Sequence, residues 1–285
     1  MMFSKFHKKR SGKRGISPVI SSVIMTGAMV AILSVTLAFA NNFLWARVAE
    51  GDFDSSKQLM HTVGLQIDDV AWTVGRTETI RYASQYGEVV FEPSVLIYNV
   101  SVNGESELYE TGILMFNLPT SRYSITNDYW ENIFPDQNEN LTLKGTSAPV
   151  ARVFAIERTP MPDGKYIRVV VAPSVRVLFS SINSSTNTYY VRMYLPVLSA
   201  GESPRLSETL TLTGESVKAY TINNVTSISV TVDFPKGTSD DFDSAFFNFP
   251  GDDSEVFDFS AFYSDYANVV LELYLSEVSV GFGLS

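Results

Sequence analysis

No acidic or basic residue falls between Gly15 and Ala46, and this stretch follows a leader carrying Lys5, Lys8, Lys9, Arg10, Lys13 and Arg14. At a helical rise of about 1.5 Å per residue, Ile16 to Ala40 measures roughly 37 Å, enough to cross a hydrocarbon core of about 30 Å with some tilt. Positive flanks stay in the cytoplasm, so the expected topology places the leader inside and everything after Arg47 outside. A secretory signal peptide is one reading, since Ala38-Phe39-Ala40 is an A-x-A-like site just past the apolar run. The run is nevertheless longer than the roughly 7 to 15 residues of a signal core. A plain N-terminal anchor explains length, charge and topology equally well, but gives no reason for the junction Lys13-Arg14-Gly15-Ile16-Ser17-Pro18-Val19-Ile20.

That junction resembles the processing site of archaeal type IV pilin precursors. The resemblance covers about the first 45 residues and implies cleavage between Gly15 and Ile16 by a prepilin peptidase, with the apolar helix retained in the mature protein. It also implies that the helix first anchors the protein and then packs in a filament core, against itself or other pilin-like subunits. Ile20 stands where many bacterial pilins have Glu, and the Gly-rich opening of archaellum filament proteins is absent. Pro18 suits the first turn of such a helix, where its missing N–H has no intrahelical partner to lose. Ser22 with Thr26, Gly27 with Ala31 and Ser34 with Ala38 are small residues four apart, the spacing that lets helices approach closely in lipid.

Helical character continues past the apolar run. Leu59, Val63, Ile67, Val70 and Val74 recur at steps of three and four, which predicts one apolar stripe on an amphipathic extension packing under the rest of the chain. Gly51 and Gly64 are candidate bends in it. His61 is expected to face a partner or solvent. From about Thr77 the period changes to two, and about a dozen short β-rich runs follow without a helical spacer. Asn103-Gly104 between two of them marks a hairpin. The expected fold is therefore α+β: a long N-terminal hydrophobic and then amphipathic helix, followed by an antiparallel all-β, sandwich-like head. The expected divisions are 1–15 for the leader, 16–46 for the membrane or polymerisation helix, 47–76 for its extension and 77–285 for the head. The segment from Asn117 to Glu139 looks like an irregular connection that could divide the head into two lobes.

The chain is 45% apolar and 18% charged, which excludes a disordered polymer. Without the leader, 15 basic residues face 31 acidic ones, a net charge of about −16, which argues against nucleic acid as a partner. There is no cysteine, and His7 and His61 are the only histidines, so thiolate or His-cluster metal sites and Cys nucleophiles are unavailable. Four Asn-x-Ser/Thr sequons, at Asn99, Asn140, Asn183 and Asn224, are candidate glycosylation sites, with Asn99 the least accessible because it lies in a strand run. An acidic region with interleaved phenylalanines contains Asp240, Asp241, Asp243, Asp252, Asp253, Glu255 and Asp258. Clustered carboxylates of this kind can hold Ca²⁺, although the spacing matches no EF-hand; an acidic loop whose aromatics reach back to the sheet, or a patch that contacts a partner, fits as well. No phosphate-binding loop, nucleophile elbow, His-Glu-x-x-His or dinucleotide fingerprint is present, so no enzyme and no resident cofactor are expected. The sequence therefore predicts a structural cell-surface subunit of type IV pilin-like kind whose head mediates adhesion or contact. The alternative is a permanently anchored ectodomain binding carbohydrate or another solute.

Overall fold

The computed structural model describes residues 18–125, 129–135, 140–145, 148–157, 165–183, 187–201, 209–235, 242, 244–247 and 254–283. The chain divides into two units, Met1–Arg47 and Val48–Ser285. One helix, α1 (Pro18–Ala71), is unbroken through both candidate bends. It ends five residues before the boundary expected at 76.

In the second unit, α1 buries Ala49, Phe53, Ser56, Met60, Val63, Gly64, Ile67, Val70 and Ala71. The stripe is thus centred on Phe53 and Met60, with Leu59 only partly buried and Val74 beyond the helix and exposed. The two glycines differ in what surrounds them. At Gly51 an added Cβ would meet nothing within 4 Å, whereas at Gly64 it would stand 3.0 Å from Val153 Cγ2. Gly64 is therefore the point of close approach between helix and sheet. Gly64→Val is expected to destabilise the protein by about 1–3 kcal/mol through overpacking, while Gly51→Ala stabilises it by about 0.5–1 kcal/mol through backbone entropy. Chemical denaturation of the two variants in detergent checks the opposite signs.

Thirteen strands follow among the described residues: β1 (Thr77–Arg81), β2 (Glu88–Val102), β3 (Glu105–Pro119), β4 (Tyr129–Phe134), β5 (Thr142–Lys144), β6 (Ala151–Glu157), β7 (Tyr166–Pro173), β8 (Val175–Asn183), β9 (Thr188–Ala200), β10 (Thr209–Ile222), β11 (Ser227–Asp233), β12 (Ser254–Asp258) and β13 (Asn268–Phe282). They form a six-stranded sheet, β1-β10-β13-β9-β8-β5, and a seven-stranded sheet, β12-β11-β2-β3-β7-β6-β4. The architecture is α+β with a sandwich-like head, as expected. The pairing is mostly antiparallel, but β9 runs parallel to β13 from Thr188↔Asn268 to Ala200↔Val280, and β5 runs parallel to β8. A parallel pair needs a long crossover, which β10, β11 and β12 supply here between β9 and β13.

Asn103 and Gly104 turn β2 into β3 with positive φ at both positions, the geometry that matches strand twist in a two-residue hairpin. Asn103 Oδ1 also accepts from the Thr226 and Ser227 amides at 2.7 and 3.3 Å, tying the turn to the start of β11. Strand β2 continues through a bulge at Glu92-Pro93-Ser94, where the register shifts and Ser94 takes φ 53°.

One core lies between the sheets, with Ile113, Met115, Phe154, Ile156 and Val170 facing Val191, Met193, Leu271 and Leu273. A second core gathers the α1 stripe with Leu114, Phe116, Val153, Val169, Val171, Leu198, Leu212 and Val278. Strands β6 and β7 supply both cores from alternate residues, which is why Ala151–Glu157 is buried at every position and reads as a continuous apolar run. The exceptions in that run are Arg152, whose Nε donates to Asn132 Oδ1 at 3.3 Å while the guanidinium lies 5.6 Å from the Trp130 ring centroid, and Glu157, whose carboxylate accepts from Ser124 Oγ and the Ile125 amide at 2.7 Å.

Two expectations are corrected. Part of the supposed irregular connection from Asn117 to Glu139 is strand, because β3 continues to Pro119 and Tyr129–Phe134 is the edge strand β4 on β6. Glu255 and Asp258 lie on β12, paired with β11, instead of in an acidic loop. Both strands escape notice in sequence because they sit at sheet edges, where Glu and Asp commonly replace apolar residues.

Candidate membrane helix and head surface

Every residue of α1 from Pro18 to Val48 is exposed, including Val23, Ile24, Leu33, Phe39 and Leu44. This part of the helix is long and apolar enough to cross a membrane. Four of its five hydroxyls bond within the helix: Ser22 Oγ donates to Val19 O, Thr26 Oγ1 to Ser22 O, Ser34 Oγ to Val30 O and Thr36 Oγ1 to Ile32 O, all at 2.8–2.9 Å. A segment in lipid requires this, because no water is there to take an unpaired polar group. At the end of the apolar run the Arg47 guanidinium lies 5.2 Å from the Phe43 ring, a pairing suited to an interface between lipid and water. The expected cleavage pair, Gly15 and Ile16, lies outside the described residues.

Polar contacts pin α1 to the head along its second half. Asp52 Oδ2 accepts from Ser84 Oγ and from the Gln85 and Tyr86 amides at 2.9–3.0 Å, holding the β1–β2 connection. Lys57 Nζ meets Glu131 Oε2 on β4 at 3.1 Å. His61, expected to face a partner or solvent, is half-exposed and packs edge-on to Phe134 with ring centroids 4.7 Å apart. Asp68 accepts from Trp72 Nε1 at 3.0 Å and from Arg176 Nη1 at 3.4 Å. Beside Asp52 a cleft of about 330 Å³ opens between α1 and β1, lined by Ser55, Gln58, Thr62, Arg81 and Tyr82. Glu131 also accepts from Tyr129, whose phenol is pushed to higher pKa by burial and by that carboxylate.

The predicted sites separate on the structure. Asp240, Asp241, Asp243, Asp252 and Asp253, the Ca²⁺ candidates, lie outside the described residues. Among the described residues no group of three His, Cys, Asp or Glu side chains could hold a metal ion. Glu255, from the same acidic region, closes the sandwich: its carboxylate takes Lys144 Nζ at 2.8 Å and Asn140 Nδ2 at 3.4 Å, linking β12 of one sheet to β5 of the other. Asp258 is a local clamp, its carboxyl held below the ordinary value by the Ser260 hydroxyl and amide.

Of the sequons, Asn224 is exposed in a turn at φ 57°. Asn140 is half-buried beside Glu255, and Asn183 ends β8. Asn99 is half-buried in the middle of β2, flanked by Leu108 on β3 and Thr231 on β11.

A surface that sequence reading missed lies on the six-stranded sheet. Arg192 and Tyr194 of β9 stand beside Glu272 and Tyr274 of β13, with Trp72 and Arg176 adjoining. Tyr190-Val191-Arg192-Met193-Tyr194 gives only the alternation of an ordinary strand. Nothing in it points to a partner about eighty residues later.

These features define a class: a chain with one exposed helix of membrane-spanning length and composition that continues as the packing helix of a β-sandwich head. No family model, no curated protein and no solved structure matches the chain.

Proposed function

We propose that this chain is a structural cell-surface subunit of type IV pilin-like kind. Its N-terminal helix anchors it in the membrane and packs against copies of itself or related subunits in a filament core, and the residues after Arg47 lie outside and make contact with other surfaces. The observation that carries this reading is the division within α1: one unbroken helix exposes apolar side chains from Pro18 to Val48 and buries a stripe from Ala49 to Ala71. An apolar surface of that extent requires lipid or neighbouring helices to cover it. The basic leader immediately before the charge-free span supports the inside-to-outside orientation. The Arg14-Gly15-Ile16-Ser17-Pro18 junction supports removal of the leader by a prepilin peptidase.

N-terminal sequencing of protein from the membrane fraction tests it. A start at Ile16 is expected. A start at Asn41 would mean a secreted protein. A start at Met1 or Met2 would favour the permanently anchored ectodomain.

Residues outside the cell are open to glycan addition where the sequon is accessible. In a host that glycosylates asparagine, Asn224→Asp is expected to remove one glycan from the intact mass, because Asn224 is exposed and Asp tolerates its positive φ. Asn99→Asp is expected to leave the glycan mass unchanged.

A further inference from the structure

We propose that the face of the six-stranded sheet around Tyr274 binds a neutral oligosaccharide or polysaccharide chain. The parallel pairing of β9 and β13 sets Tyr194 beside Tyr274 and Arg192 beside Glu272. The two tyrosine rings stack with centroids 5.0 Å apart and planes 10° from parallel. On its other side Tyr194 carries the Arg176 guanidinium, 4.5 Å from its centroid, and the edge of Trp72 closes the row at 5.1 Å. Tyr194 is thus fully engaged.

Tyr274 is engaged on one side only. Its neighbour across β10 is Ala219, an exposed methyl group, and among the described residues no second ring or cation stacks on Tyr274. The result is an open, one-sided slot: the Tyr274 ring is its wall, the Ala219 methyl group on β10 lies beside that ring, and Glu272 stands two residues along β13. Aromatic rings carry a negative face, which attracts the polarised C–H groups on the apolar face of a pyranose. Carboxylate, guanidinium and phenol groups at the rim supply acceptors and donors for ring hydroxyls.

The charges around the slot indicate which ligand suits it. Arg192 Nε donates to Glu272 at 2.6 Å, and Arg176 pairs with Asp68. The hydrogen bond to Glu272 raises the Arg192 pKa further, while burial and Glu272 raise that of Tyr274, so these groups keep their charge states across the physiological range. The patch is locally neutral on an acidic protein, so it neither draws a polyanion nor presents the unpaired charge a polycation would seek. A neutral, hydroxyl-rich chain with apolar ring faces fits those terms.

This inference names the contact partner in the function proposed above, but it does not depend on leader processing. The test uses full-length protein in a zwitterionic, sugar-free detergent, with cellohexaose, xylohexaose and mannohexaose as probes and a sulfated polysaccharide as the charged comparison. Calorimetry gives affinity. At least one neutral hexaose is expected to bind saturably. Tyr274→Ala, which removes the wall, and Ala219→Trp, which fills the slot, are each expected to weaken it by roughly fivefold to tenfold, the upper part of the range of one aromatic stacking contact. Tyr274→Phe keeps the wall and is expected to stay within about twofold. Both weakening substitutions are at the surface, and unchanged thermal melting shows that each variant is folded. Failure of all three hexaoses to saturate overturns the proposal, as does binding that neither variant weakens or binding confined to the sulfated polymer. None of these outcomes alters the N-terminus of the membrane-bound protein, so the filament reading stands or falls separately.

Discussion

A pair of arginines at Met29 and Leu33 is expected to abolish stable residence of this protein in membranes. Both side chains are exposed on the first unit of α1, in a stretch without any charged residue, and they lie one helical turn apart. An arginine at the centre of a membrane-spanning helix costs about 3 kcal/mol on insertion scales, so two cost about 6 kcal/mol. Neither lies close enough to an end of the span for its side chain to reach water easily. After alkaline extraction, wild-type protein is expected in the membrane pellet and the double variant in the supernatant. Equal retention of both proteins would mean that the exposed apolar helix is covered by something other than lipid.

The second large effect concerns the other half of the same helix. Ile67→Asp is expected to unfold the head, or to lower its stability by about 4 kcal/mol or more, because it places a carboxylate where the side chain is wholly buried. The surroundings in the second core are aliphatic, with Val153, Val169 and Val171 from β6 and β7, and offer that charge no donor. Leu65→Asp, two residues away, is the matched control. Leu65 is 47% exposed, and a charge there is expected to cost about 0.5 kcal/mol or less. Thermal unfolding followed by circular dichroism in detergent separates the two. Similar melting of both variants would show that α1 is not a structural part of the head.

The pair of substitutions also shows where sequence reading succeeds and where it stops. The helical period placed Val63, Ile67 and Val70 on one face, and all three are buried. It also picked Leu59 and Val74 over Phe53 and Met60. On a helix with apolar residues on several faces, the stripe is chosen by what it meets, and here that is the doubly buried pair β6 and β7. Gly64 illustrates the same dependence: helix propensity marks it as a weak point, whereas the structure makes it the place where Val153 fits. The hairpin at Asn103-Gly104 was legible because a two-residue turn is a local event with strict backbone demands. Edge strands β4 and β12 were not, since an edge needs no apolar alternation and is defined by its neighbour.

The same reasoning separates the two candidate surfaces. The apolar helix is a property of contiguous residues: charge-free length and a basic flank are written in order along Lys5 to Ala46, and no folding is needed to see them. The slot beside Tyr274 depends on β9 and β13 lying parallel and in one register, with Ala219 arriving from a third strand. Side-chain period says which face a residue takes but never which strand lies alongside, because pairing is settled by the competition of all the strands for a shared core. Local order along the chain thus accounts for the long helix, the change to β structure after Thr77 and the acidic balance beyond the leader. The stripe that docks, the parallel crossover, the closure of the sandwich by Lys144 and Glu255 and the aromatic slot arise only once distant segments are packed together.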